Sequence, residues 1–152
     1  ALLPLSLQAG ENIVVVSPAR NTATMVEDRF YADELLLDIL RGYASNVSLL
    51  AVGPDADYEE LLQGTRENDI FIVATVNAHL DEKQANVVRF LIASKRRVIG
   101  IAVRNPYDLQ AFPQLRTFLA TYEYTRPALA AAARVIFGEC EARGHLPVSV
   151  SR

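Results

Sequence analysis

The sequence is poor in the residues that carry most stand-alone chemistry. Among its 152 residues there are one cysteine, Cys140, one methionine, two histidines and no tryptophan. A single cysteine excludes an intrachain disulfide framework, and two histidines with one thiol cannot build a zinc cluster of known spacing. No metal site and no cofactor are therefore expected. The seven glycines form no G-x-G-x-x-G, no G-x-x-x-x-G-K-S/T and no G-x-S-x-G, so the common dinucleotide, phosphate-loop and serine-hydrolase signatures are missing. Excess basic charge is missing too. The net charge is −3 and the pI about 5.4, which provides no field for a phosphate backbone and argues against nucleic acid as a partner. The densest basic run, Lys95-Arg96-Arg97, falls where a helix should end and reads as dipole complementation and solvation. No apolar run approaches the ~18 residues of a membrane span, so no membrane partner is expected. The opening "ALLPLSLQAG" lacks a basic n-region and does not read as a signal peptide; it looks like a cut within a longer chain.

What is present is ordinary globular composition, 51% hydrophobic and 22% charged, in a length that suits one domain over 1–152. Short apolar runs alternate with helical patterns. Strands are expected at 12–17, 46–52, 69–76, 97–103 and 117–122, and a final short strand at 144–150. Helices are expected at 26–43, 57–64, 81–95 and 127–138, with a short one from Pro106. Punctuation supports them: Asp57 with Glu60 and Asp81 with Gln84 resemble capping boxes, Pro127 opens the last helix, and Gly42, Gly64 and Gly138 follow helix ends. Strands apolar on both faces mean a sheet covered on both sides. The fold class is α/β, a flavodoxin-like three-layer sandwich whose mainly parallel sheet has five or six strands.

In such folds ligands bind at loops following strand C-termini. The loop 17–24, "SPARNTAT", is rich in hydroxyls but has no glycine for close phosphate approach, so a solvated loop is favoured over a flavin or small-ligand site. Asp55 and Asp57 read as helix capping. "TVNAHLDEKQ" (75–84) offers Asn77 and His79, with Asp81 and Glu82 at a helix start. "RNPYDL" (104–109) ends an apolar strand in a dense polar and aromatic cluster. Asn105 as N-cap, Pro106 at N1 and Asp108 at N3 make a complete helix start, which leaves Arg104 and Tyr107, types enriched at interfaces, without a structural task. "YEYTRPA" (122–128) is a contact surface or a helix lead-in. The candidate cleft or interface residues are thus Asn77, His79, Arg104, Asn105, Tyr107 and Asp108, and no catalytic residue is assigned.

Taken in order, "LLPL" at 2–5, "DIFIVATVNAHLDEKQ", "RNPYDL", "ATYEYT" and "FGECEARGHLPVSV" resemble the C-terminal α/β sandwich domain of glycoside hydrolase family 3, in its bacterial beta-N-acetylglucosaminidase-like branch. The resemblance runs nearly end to end. It implies a parent chain whose N-terminal (β/α)₈ barrel supplies the nucleophilic Asp and, in this branch, a His–Asp acid/base pair. The loop that carries an acid/base Glu in the beta-glucosidase branch corresponds to residues 75–83, which are short here; Glu82 fits a helix start better. Retaining hydrolysis needs two carboxyl groups ~5 Å apart, and no such pair can be assembled from this chain. The resemblance implies an accessory domain, inactive alone, whose partner is the barrel of the same parent, with carbohydrate at the interface between them. An isolated copy would expose an apolar patch, expected at "ALLPL" or on the apolar helices, and so have a route to self-association. The compartment stays open between cytoplasm and export. The rival readings are a flavodoxin-like flavin or small-ligand binder and a structural dimerisation domain.

Overall fold

A computed structural model describes residues 2–18, 32–53 and 55–150. Five strands and four α-helices follow one another as β1 (Ile13–Pro18), α1 (Ala32–Arg41), β2 (Val47–Val52), α2 (Tyr58–Leu61), β3 (Ile70–Thr75), α3 (Glu82–Ala93), β4 (Arg97–Ala102), β5 (Thr117–Ala120) and α4 (Arg126–Ile136). Two 3-10 segments, Ala78–Leu80 and Pro106–Ala111, follow β3 and β4. The sheet order is β2-β1-β3-β4-β5 and all four pairings are parallel. The α/β sandwich expected from the alternating pattern is therefore present.

Alternation along the strands divides the interior in two. Ile13, Val15, Ile70, Ile72, Ile99 and Ile101 face α1 and α4, meeting Leu36, Leu40, Leu129 and Ile136. Val14, Val16, Phe71, Val73 and Val98 face the other way, packing with Val88 and Leu91 of α3 and with Phe112 and Leu115. Every residue of β3 is buried, which is why its sequence, IFIVAT, has no polar face. Gly100 in β4 makes room for the second layer: a Cβ there would lie 2.6 Å from Leu115 Cδ2. Gly138, beyond α4, has φ +78°, and a Cβ there would lie 2.7 Å from Pro4 Cβ. The N-terminal segment is held at this point, with Leu5 donating its N–H to the Ile136 carbonyl at 2.6 Å.

Several expectations need correction. Residues 144–150 form no strand; Gly144 through Pro147 are exposed, and Pro147 has no N–H for a ladder. The helix expected at 57–64 ends at Leu61 and continues as turns. Of the helix expected at 26–43, residues 26–31 lie outside the described residues. In the N-terminal segment Leu5 is buried, and the partly buried Leu2 and Leu3 pack against the core. Among the described residues, the exposed large apolar side chains are Leu49, Leu80, Tyr107, Tyr122, Tyr124 and Leu146. No described helix is long and apolar enough to cross a membrane.

Candidate functional site

Four of the six residues picked out from sequence are bonded in pairs at the C-terminal edge of β3 and β4. The adjacency follows from topology: β3 and β4 are sheet neighbours, so their outgoing loops lie side by side. After β3, Asn77 takes a left-handed conformation (φ 52°, ψ 39°), one that Asn tolerates better than most residues. The chain then turns through Ala78–Leu80 and enters α3 at Asp81, whose Oδ1 accepts from the Lys83 N–H at 3.1 Å. After β4, Asn105 caps the Pro106–Ala111 segment as expected, accepting from the Tyr107 N–H at 3.0 Å. Its Nδ2 donates to Asn77 Oδ1 at 2.6 Å, so one side chain both caps its own segment and ties the two loops together.

Asp108 takes its expected place in the first turn, but its side chain turns to the neighbouring loop. It is wholly buried, and its Oδ1 lies 2.9 Å from His79 Nδ1 and 3.4 Å from the His79 backbone N–H. A carboxylate opposite Nδ1 selects the N–H form at that nitrogen and leaves Nε2 for other partners. The His79 side chain is 22% exposed, and its ring lies 6.1 Å from that of Tyr107. The second Asp108 oxygen, Oδ2, and the hydroxyl of Thr75 at the end of β3 are buried with no hydrogen-bond partner among the described residues.

Gln84 of α3 braces the start of the same loop. Its side chain accepts from the Val76 N–H and donates to the Val76 carbonyl, each at 2.9 Å, and also donates to Asp81 Oδ2 at 3.0 Å. The expected capping box of Asp81 with Gln84 is thus half right. Asp81 caps the helix, but the amide of Gln84 turns to the end of β3, where two backbone groups need partners. Glu82 pairs with Arg89 on the surface at 2.7 Å.

Arg104 and Tyr107 are both exposed at this edge. Leu80 follows β3, Tyr107 follows β4, and Tyr122 and Tyr124 follow β5, so four of the six exposed large apolar side chains among the described residues lie along the C-terminal ends of three adjacent strands. The two tyrosines belong to a segment read as a contact surface or helix lead-in; Leu80 gave no sequence signal. Of the 17–24 loop, Ser17 and Pro18 close β1, with Ser17 Oγ donating to Asp33 at 2.6 Å, and the rest lies outside the described residues. No cluster of three or more His, Cys, Asp or Glu suited to a metal ion occurs among the described residues.

Strand order and layering define a flavodoxin-like α/β sandwich. No family model and no curated protein matches the sequence. Solved structures do match. A fungal multi-domain GH3 beta-N-acetylglucosaminidase with a GCN5-related glucosamine N-acetyltransferase region is similar over 98% of this chain and 17% of its own, with 30% identity and a TM-score of 0.80. A glycoside hydrolase family 3 beta-N-acetylglucosaminidase from Paenibacillus sp. str. FPU-7 is similar over 96% of this chain and 28% of its own, with 27% identity and a TM-score of 0.77. The chain resembles a domain of family 3 beta-N-acetylglucosaminidases, as its motifs imply, and spans less than a third of either protein. These matches favour the glycosidase-domain reading over a flavin binder.

Proposed function

We propose that the chain is the accessory sandwich domain of a family 3 glycoside hydrolase acting on terminal β-linked N-acetylhexosamine, and that it does not hydrolyse glycosides alone. The observation that carries this reading is the end-to-end structural likeness to two such enzymes, of which the chain is only a part. The commitments of the local carboxylates support inactivity in isolation. Asp81 caps α3, Asp108 is buried under His79, and Glu82 is paired with Arg89 on the surface. None of the three is free to serve as the second carboxyl group that retaining hydrolysis requires.

The edge bearing His79, Arg104 and Tyr107 faces the N-terminal barrel in this reading. Exposed aromatic and apolar side chains beside polar groups suit a domain interface better than open solvent. His79 would present Nε2, and Tyr107 its ring and hydroxyl, to the barrel rim or to a sugar bound there. The test is Arg104→Ala and Tyr107→Ala in the parent enzyme, with the isolated chain melted in parallel. Weaker substrate affinity or looser domain docking, with the isolated chain's Tm nearly unchanged, is expected. A fall of many degrees in the isolated Arg104→Ala chain would make Arg104 structural and defeat its interface role.

A further inference from the structure

The opposite end of the sheet holds a concave surface. At the start of β4 and β5 lies a cleft of about 840 Å³, where Lys95, Arg96, Arg97 and Arg116 surround apolar side chains that include Leu115 and Phe118. Two of the four cations are engaged internally. Arg96 donates to the Arg66 carbonyl at 2.6 Å and lies 5.8 Å from the Phe71 ring centroid. Arg97 pairs with Glu11 at 2.6 Å. Lys95 and Arg116 differ: both are exposed, and neither side chain makes a hydrogen bond or ion pair with a described residue.

The cleft adjoins an open strand edge. Thr117 and Phe118 line it and also begin β5, the last strand of the sheet, which pairs with β4 alone. All four residues of β5 are half-buried. No backbone hydrogen bond reaches their outer edge from the described residues. Charges near a bare edge can serve as guards against pairing. Here, however, both unpaired cations line a cavity with an apolar interior. Edge backbone groups provide affinity for an extended peptide, pockets take its alternate side chains, and complementary charge fixes its register. In a chain of net charge −3, this local cluster of cations selects an acidic partner.

We propose that this surface binds an extended acidic and apolar peptide segment as a sixth strand beside β5, with its carboxylates meeting Lys95 and Arg116. Arg96 and Arg97, read from sequence as solvated, are instead bonded to internal partners, which leaves Lys95 as the residue of that run able to meet a ligand. The site lies at the opposite end of the strands from His79 and does not depend on the glycosidase reading.

The probe is a blocked peptide alternating glutamate and valine, titrated into ¹⁵N-labelled chain at low ionic strength. Saturable shifts at residues 95–97 and 116–120, slowed amide exchange across Thr117–Ala120, and weakening by added salt are expected. The double variant Lys95→Asn, Arg116→Ala should bind at least about tenfold more weakly. Asn suits position 95 because Lys95 has φ 57°, and the variant's Tm, measured alongside, reports its folding. A peptide with lysine in place of glutamate, tested on the unaltered chain, should not bind. The proposal is overturned if the acidic peptide fails to saturate, or if the lysine peptide or the folded double variant binds equally well. It also fails if inorganic phosphate alone reproduces every shift and the peptide leaves Thr117–Ala120 unprotected, which would mark a small-anion site.

Discussion

Replacing Gln84 by methionine strikes the joint on which the candidate site is built. Gln84 is 2% exposed, and its amide makes three bonds, two to the Val76 backbone and one to Asp81. Methionine fills similar space and makes none of them. A buried polar group left unpaired costs about 1–3 kcal/mol. Val76 is half-buried, so water reaches part of the break and each of its two backbone groups falls in the lower half of that range. The expected loss is about 2–4 kcal/mol, equivalent to a Tm lower by about 5–12 °C for a domain of this size. Urea unfolding followed by far-UV circular dichroism measures it, with an unchanged m-value certifying that only stability moved. Gln84→Glu sharpens the test. One oxygen still accepts from the Val76 N–H, but the other faces the Val76 carbonyl and Asp81 Oδ2, both acceptors, so its cost at neutral pH should exceed that of methionine. A loss below about 0.5 kcal/mol for either variant, the range of an ordinary surface change, would refute the clamp.

Asn105→Ala removes a cap and the bond to Asn77 together, and should cost about 1–2 kcal/mol by the same unfolding assay; no loss would show the two loops to be held by other contacts. Gly100→Ala places a methyl against Leu115 in β4 and should destabilise by about 1–3 kcal/mol, whereas an unchanged Tm would mean that the second layer yields freely. Tyr43 stacks on Phe137 and donates to Glu139 at 3.2 Å; burial first, then the hydrogen bond and charge of Glu139, raise its phenol pKa above the ordinary 10.0. The neutral phenol is thus favoured by folding, so its contribution is present below about pH 10 and lost as pH rises through the raised value. Tyr43→Phe should therefore flatten the alkaline part of the stability profile, and equal alkaline losses in both proteins would contradict this.

The layers of the fold were legible because burial on both faces leaves a plain mark. IVVVS, IFIVAT and VIGIAV have no polar face, and each is followed by a segment with helical spacing. The end of the chain misled because "HLPVSV" alternates like a strand, while Pro147 and exposure keep it out of the ladder. At the candidate site, local rules were readable and long-range ones were not. Asn105 as cap and Pro106 at N1 follow from four consecutive residues. The His79–Asp108 pair spans 29 positions and exists only because β3 and β4 are neighbours, which residue spacing does not encode. Gln84 misled for a related reason: its position mimics a capping box, yet the unpaired backbone of Val76 competes for the same amide and wins.

Hydrolysis by the chain itself is the decisive measurement. Purified chain should release no chromophore from a chromogenic N-acetyl-β-glucosaminide above the buffer background, because a positioned acid and a nucleophile are both required and the carboxylates beside His79 are committed to capping, burial and surface pairing. Steady turnover by the pure chain, abolished by His79→Ala or Asp108→Asn, would contradict the accessory role and place a complete active site at the edge of β3 and β4.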